Sequence, residues 1–168
     1  MRLNINQDTK VYAWDYLKDN SLGHRSKANG NKSEQFVGLV GEITVKNFLG
    51  INHVESDGFD GGYDLTLKGK KIDIKTMGRN VDVKPHYVNN FITYQKDYDC
   101  DIYIFASINK KTSVLTICGY ATKEDLISKG NRYEQGEIRV RDDGTEFKFK
   151  APTIEIENNK LKSIKELL

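Results

Sequence analysis

The chain has 168 residues, of which 38% are hydrophobic and 30% charged, a length and composition that predict one globular domain rather than two. Its 26 Lys and Arg residues nearly balance its 24 Asp and Glu residues, so any charged binding site must come from local clustering. No apolar run reaches the ~18 residues of a membrane-spanning helix, and the first residues lack the apolar stretch of a signal peptide. Cys100 and Cys118 match no metal-ligand spacing. We interpret them as reduced thiols in a cytoplasmic protein, with a disulfide between them as the alternative.

The first 50 residues predict two helices separated by a loop. Val11, Trp14 and Leu17 recur at helical spacing and predict a short helix within residues 1–20. Residues 20–32 are polar, basic and glycine-containing, which is typical of an exposed loop. A second helix is predicted over residues 32–49 by an apolar stripe, a candidate N-cap and a terminating Leu-Gly pair. The residues concerned are Phe36, Val40 and Ile43 for the stripe, Asn31 or Ser33 for the cap, and Leu49-Gly50 for the end.

The rest of the chain predicts short strands joined by turns. Strands are predicted at residues 51–56, 63–67, 71–77, 101–108 and 113–120, followed by a hairpin of 137–141 with 145–150 and a last strand around Ile154 and Ile156. Residues 86–97 allow a helix, Thr122 begins a short helix with Asp125 in a capping box, and residues 162–168 predict a last helical turn. This order predicts one mixed α/β domain. It has a core of residues 32–120, an N-terminal part of residues 1–31 and a β-rich C-terminal extension of residues 121–168.

The strands at residues 63–67 and 71–77 carry the most informative polar side chains. Successive side chains of a strand point to opposite faces, so Leu65 and Ile72 each mark the apolar face of their strand. Both apolar faces must pack on one core, which requires a turn of two or four residues around Lys68-Gly69. Either turn places Asp64 directly opposite Asp73. The hydrophobic pattern therefore predicts two carboxylates side by side.

Two adjacent carboxylates on a sheet repel each other, so we expect a partner that offsets the repulsion. Mg²⁺ is such a partner, since it is typically held by one or two carboxylates together with water and substrate phosphates. Lys75 lies two residues beyond Asp73 on the same face, where an ammonium would orient a water nucleophile and stabilise transition-state charge. The alternative is a solvated strand face on which acidic and basic residues alternate for solubility alone.

The segment Gly38-Leu39-Val40-Gly41-Glu42 places two glycines inside the second predicted helix. Each costs about 1 kcal/mol relative to alanine at an interior helical position. Because they lie three residues apart on one face, we expect them to bring the helix close to the sheet, so that Glu42 reaches the carboxylate pair. The alternative is close helix–sheet packing with Glu42 as an ordinary surface residue.

The order of Glu42 on a helix, Asp64 on a strand and Asp73-Ile74-Lys75 on the next strand resembles the PD-(D/E)XK nuclease superfamily. The resemblance covers about residues 32–108, and the proline that the family often has before its first aspartate is Tyr63 here. It implies an α/β, restriction-endonuclease-like αβββαβ core, with a central mixed sheet flanked by helices.

The resemblance also implies Mg²⁺-dependent hydrolysis of phosphodiester bonds in DNA, with Mn²⁺ able to substitute, in a bacterial or phage protein. Asp64, Asp73 and the backbone carbonyl of Ile74 would bind the metal. Lys75 would position the attacking water. Glu42 would be an auxiliary carboxylate that reaches the metal directly or through water.

Basic residues cluster in sequence on both sides of this motif. Residues 68–84 contain six Lys and Arg residues against two Asp residues, and residues 24–32 add His24, Arg25, Lys27 and Lys32. Such residues would contact phosphates without reading the base sequence, whereas the alternative is a solvated charged surface. The residues expected to bind nucleic acid are Arg25, Lys27, Lys32, Arg79 and Lys84.

The leading hypothesis is therefore a metal-dependent endonuclease that acts on DNA without an organic cofactor or a membrane partner. Cutting both strands of a duplex would require a homodimer or two successive nicks by a monomer. Three alternatives stay open: a catalytically inactive nucleic-acid-binding protein of the same fold, an RNA-directed nuclease, and an interaction domain that binds another protein. The charged hairpin within residues 131–150 would grip DNA or mediate dimerisation.

Overall fold

The computed structural model describes residues 1–20, 22, 30–53, 61–141 and 144–168. These parts of the chain form a mixed α/β structure, as the sequence predicts. The helices are α1 (Gln7–Asp19), α2 (Lys32–Phe48) and α3 (Lys123–Lys129), with 3₁₀ turns at Thr93–Asp97, Asn158–Lys160 and Ile164–Glu166. The strands are β1 (Arg2–Asn4), β2 (Leu65–Leu67), β3 (Lys70–Arg79), β4 (Val88–Ile92), β5 (Ile102–Asn109), β6 (Val114–Thr122), β7 (Asn131–Tyr133), β8 (Ile138–Val140), β9 (Glu146–Lys148) and β10 (Thr153–Glu157). No helix in the described ranges is long and apolar enough to cross a membrane.

The central sheet has five strands in the order β1-β6-β5-β3-β2. β3 and β5 are parallel, and the other neighbouring pairs are antiparallel. Every residue of β5 is buried, because α2 covers one face of the sheet and a second sheet covers the other. On the α2 face, one apolar cluster contains Val40 of the helix together with Ile72, Ile74 and Ile104 of the strands.

The second sheet has the order β4-β10-β7 and is antiparallel throughout. Its buried side chains, among them Phe91 and Ile156, form a second apolar cluster with Tyr103 and Phe105 of β5. The parallel register sets Asp73 beside Tyr103 and Lys75 beside Phe105. Because register partners share a face, Asp73 and Lys75 lie on the side of the central sheet that the second sheet covers.

Local sequence signals account for the start and the end of α2. Asn31 caps α2 in a capping box with Glu34, whose backbone N–H donates to Asn31 and whose carboxylate accepts from the Asn31 N–H. The helix ends before Gly50, whose φ of +71° suits a residue without a side chain.

The predicted stripe of α1 was wrong in part: Leu17 is buried, but Trp14 is 60% exposed. The face that packs is set by Ala13 and Leu17, while the Trp14 ring makes an edge-to-face contact with the Phe36 ring.

Two sequence predictions differ from the structure in the part that follows α2. Residues 51–53 form no strand, and residues 54–56 lie outside the described residues. The helix allowed at residues 86–97 is wrong, because β4 and a 3₁₀ turn occupy this segment. β4 pairs with β10, more than 60 residues later, and this distant partner overrides the local helical spacing. The capping box of Thr122 with Asp125, the β8–β9 hairpin, the last strand and the last helical turn are confirmed.

Candidate active site

The β2–β3 hairpin brings the two candidate carboxylates close together. Leu67 pairs with Lys70, so the turn consists of Lys68 and Gly69, both of which have positive φ values (49° and 74°). Positive φ at both positions is characteristic of a type I′ turn, the two-residue hairpin turn whose twist matches that of the flanking strands. Leu65 pairs with Ile72, and the predicted two-residue turn and register are confirmed over Leu65–Leu67. The paired residues end there, and the Asp64 N–H donates to the Ile72 carbonyl, so the expected pairing of Asp64 directly opposite Asp73 is not part of the ladder.

Asp64 lies where β2 begins, at the edge of the central sheet. Its backbone N–H donates to the Ile72 carbonyl at 2.8 Å, and its carboxylate accepts a hydrogen bond from the Ile74 N–H at 2.6 Å. In an extended strand the N–H and C=O of one residue point to the same side. The Ile74 carbonyl therefore also points to the β2 side of β3, towards Asp64.

Asp73 forms an ion pair with Lys75, two residues along β3. Asp73 is only 5% exposed, and the Lys75 side chain is 18% exposed. A buried carboxylate with an ammonium partner is far less costly than one without. The predicted proximity of these two side chains is present, and the ammonium is the cation that offsets the charge of Asp73 in the structure.

The electrostatic environment of Asp64 is unfavourable for an anion. Burial raises its pKa, the negative charges of Asp73 and Glu42 raise it further, and the resulting pKa lies well above the ordinary value of 3.8. The hydrogen bond from Ile74 and the charge of Lys75 act in the opposite direction but do not outweigh these effects. A cation bound beside Asp64 would act against these effects and favour its ionised form.

Glu42 approaches this region from α2. Gly41 contacts β3, because a side-chain carbon there would lie 2.0 Å from Thr76 Oγ1. The predicted close approach of helix and sheet is therefore present at Gly41, but Gly38 does not contribute to it, since no described residue places an atom within 4 Å of the corresponding position.

Two residues that the sequence analysis had not linked to Glu42 hold its carboxylate. Lys46 Nζ lies 2.6 Å from Glu42 Oε1, and His53 Nδ1 lies 3.4 Å from the same atom. Burial raises the pKa of Glu42, but these two contacts more than offset the effect and hold the pKa below its ordinary value of 4.5. Lys46 follows Glu42 by four residues, a spacing that indicates a helical ion pair. His53 carries no such signal, because a loop brings it back to the helix.

These side chains meet in a cavity of about 260 Å³ between α2, β3 and the edge of the second sheet. Among the described residues of its wall, the acidic and basic ones are Glu34, Glu42, Asp64, Asp73 and Lys75, and Asn90 of β4 also lines it. The sequence analysis missed Asn90, whose side-chain oxygen is buried without a hydrogen-bond partner in the described structure. Within the described ranges, no three Asp, Glu, His or Cys side chains form a group that could hold a metal ion.

Of the five residues predicted to contact nucleic acid, two are used within the protein. Lys32 donates to the Leu17 carbonyl at 2.9 Å and so closes the C-terminal end of α1. Arg79 is half-buried, donates to the Val88 carbonyl at 2.6 Å and lies over the Tyr87 ring. Lys84 is exposed. Arg25 and Lys27 lie outside the described residues, although Leu22 and Gly30, on either side of that segment, line the cavity.

Comparison of the chain with known protein families, with curated proteins and with solved structures finds no match. Its residues and their geometry must therefore carry any functional assignment.

Proposed function

We propose that this protein is a metal-dependent endonuclease that hydrolyses phosphodiester bonds in DNA. The observation that carries the proposal is the pair of neighbouring carboxylates, half-buried Asp64 and buried Asp73, with the Lys75 ammonium beside Asp73 in the same cavity. A fold gains no stability from burying two like charges together. Such an arrangement is typical of sites that bind a cation and an anionic substrate.

The donor set suits Mg²⁺. Two carboxylates and the Ile74 carbonyl supply hard oxygen atoms from adjacent positions on β2 and β3. Mg²⁺ usually takes few protein ligands and completes its coordination with water and phosphate oxygens, so the absence of a third described carboxylate or histidine from the group is compatible with this metal. When bound, Mg²⁺ supplies positive charge that activates water and offsets the charge on the phosphoryl group.

The protein's own side chains would act as follows. Asp64 and Asp73 would hold the cation. The Lys75 ammonium, which pairs with Asp73, would orient a water molecule and stabilise the negative charge that develops on the phosphate oxygens. Lys46 holds the Glu42 carboxylate, with His53 beside it, and Glu42 would orient a water molecule at the helix side of the cavity.

We further propose a restriction-endonuclease-like core made of α2, β2, β3 and β5. The support is a helix packed on an antiparallel pair whose second strand is followed by a parallel neighbour. One departure is the connection from β3 to β5, which contains β4 and a 3₁₀ turn in place of the helix that the resemblance implies.

The test is incubation of the purified protein with supercoiled plasmid in Mg²⁺, Mn²⁺ or EDTA. We expect metal-dependent nicking or linearisation that Asp73→Asn and Lys75→Met abolish. Asp99→Asn is the matched control, because Asp99 is an exposed aspartate that pairs with Lys71 outside the cavity. Linear product formed without an accumulating nicked form would indicate a homodimer. Cleavage that survives Asp73→Asn would contradict the assignment of the site.

The second candidate is a nucleic-acid-binding protein without turnover. It is favoured by the ion pair of Asp73 with Lys75, which already neutralises one carboxylate without a metal. This candidate predicts DNA or RNA binding that weakens with salt, no cleavage product, and no Mn²⁺ binding at the Asp64–Asp73 pair. Cleavage of RNA but not of DNA would instead support an RNA-directed nuclease.

A further inference from the structure

The helix α2 contains two glycines, and the described fold explains only one of them. Gly41 is required because any side chain would collide with Thr76 of β3. At Gly38, a side-chain carbon would meet no described atom within 4 Å, and the backbone is not in the left-handed region. A glycine costs about 1 kcal/mol relative to alanine at such a position, and the packing of the described residues gives no reason for this cost.

Gly38 lines the cavity that contains the two carboxylates. It precedes Glu42 by four residues, so it lies one helical turn away on the same face, about 6 Å along the helix axis. Glu34, one turn further, also lines the cavity. The open space beside Gly38 thus belongs to the same cavity, one helical turn from Glu42.

We propose that Gly38 keeps open a subsite for the nucleotide next to the cleaved phosphodiester. The inference rests on the proposed nuclease function and makes the substrate a polynucleotide chain rather than a small phosphate ester. A small ester needs only the end of the cavity where the carboxylates lie, whereas a chain must continue past the reacting phosphate. A side chain at position 38 would occupy the space through which that chain passes.

The test uses Gly38→Leu, which fills the space, and Ser33→Leu as the matched control. Ser33 is exposed on the first turn of the same helix and does not line the cavity. The readouts are the thermal midpoint, Mn²⁺ binding, Mn²⁺-dependent hydrolysis of bis(p-nitrophenyl) phosphate, and binding of a labelled DNA oligonucleotide in Ca²⁺. The oligonucleotide is offered as a single strand and as a duplex.

We expect Gly38→Leu to have a thermal midpoint no lower than that of the unsubstituted protein, and the same Mn²⁺ binding and ester hydrolysis. Its oligonucleotide affinity should fall on the order of tenfold or more, with Ser33→Leu unchanged. Equal oligonucleotide affinity in both variants would overturn the inference. So would a parallel loss of Mn²⁺ binding, ester hydrolysis and oligonucleotide affinity, because the substitution would then disturb the carboxylate site itself.

The two proposals fail in distinguishable ways. If the unsubstituted protein binds the oligonucleotide but neither binds Mn²⁺ nor hydrolyses the ester, the nuclease proposal fails. A loss of oligonucleotide affinity in Gly38→Leu would still support the subsite. If the unsubstituted protein binds no oligonucleotide in either form, the subsite proposal fails.

Discussion

The contact of Gly41 with β3 gives a quantitative prediction, because the same substitution at Gly38 should have the opposite effect on stability. A side-chain carbon built on Gly41 lies 2.0 Å from Thr76 Oγ1 and 2.6 Å from Thr76 Cβ. Rotating the Thr76 side chain does not move its Cβ, so rotation alone leaves the collision in place. Relief requires α2 and β3 to move apart, which disturbs the apolar cluster between them.

The magnitude follows from two opposing effects. Replacing a helical glycine by alanine stabilises the folded state by about 1 kcal/mol, while forcing an extra group into a packed interface costs about 1–3 kcal/mol or more. Because the collision at Gly41 includes a Cβ atom, we expect Gly41→Ala to lower the free energy of unfolding by about 2 kcal/mol. A chain of this size should then lose about 4–8 °C in its thermal midpoint. Gly38→Ala, with open space around it, should gain about 2–4 °C.

The assay is thermal and urea unfolding of both variants, followed by circular dichroism. Thr76→Gly removes all three atoms that collide. The double variant Gly41→Ala/Thr76→Gly should therefore lose less stability than the sum of the losses in the two single variants. A Gly41→Ala variant as stable as Gly38→Ala would refute the reasoning, because the glycine would then not be the contact that holds the helix close to the sheet.

Two further predictions concern the charged residues. The pKa of Asp64 is raised by burial and by the charges of Asp73 and Glu42, so the folded state loses stability as pH rises from the unfolded pKa through the folded one. Near pH 8, Asp64→Asn should therefore be more stable than the unsubstituted protein, by about 1.4 kcal/mol for each unit by which the pKa of Asp64 is raised. This advantage should disappear towards about pH 4. Urea unfolding across this range measures the difference, and an advantage that grows as pH falls would contradict the assigned environment. Arg79→Met should cost about 2 kcal/mol, since it removes a charged donor from the Val88 carbonyl, without changing the salt dependence of DNA binding. Lys84→Met should leave the free energy of unfolding unchanged and reduce by about 1 the slope of log K for DNA binding against log salt concentration. If Arg79→Met instead reduced this slope and left the free energy of unfolding unchanged, Arg79 would be a phosphate contact.

The sequence by itself determined several local elements and the register of the hairpin that carries the two carboxylates. Asn31 with Glu34, and Thr122 with Asp125, form capping boxes within four consecutive residues, so the start of each helix depends on little outside the segment. The hairpin register is equally local. Its two-residue turn and the apolar faces of β2 and β3 leave one alignment that buries both strands on the same core.

Only the tertiary structure decided which side chains remain available at the site. Arg79 and Lys32 are basic residues near the motif in sequence, yet their partners are carbonyls of Val88 and Leu17, elsewhere in the chain. His53 reaches Glu42 through a loop whose path no spacing rule predicts. Within the segment of residues 86–97, Val88–Ile92 becomes a strand because β10 supplies its hydrogen bonds. Hydrogen-bond partners of this kind depend on how distant segments pack, which the periodicity of a single segment does not record.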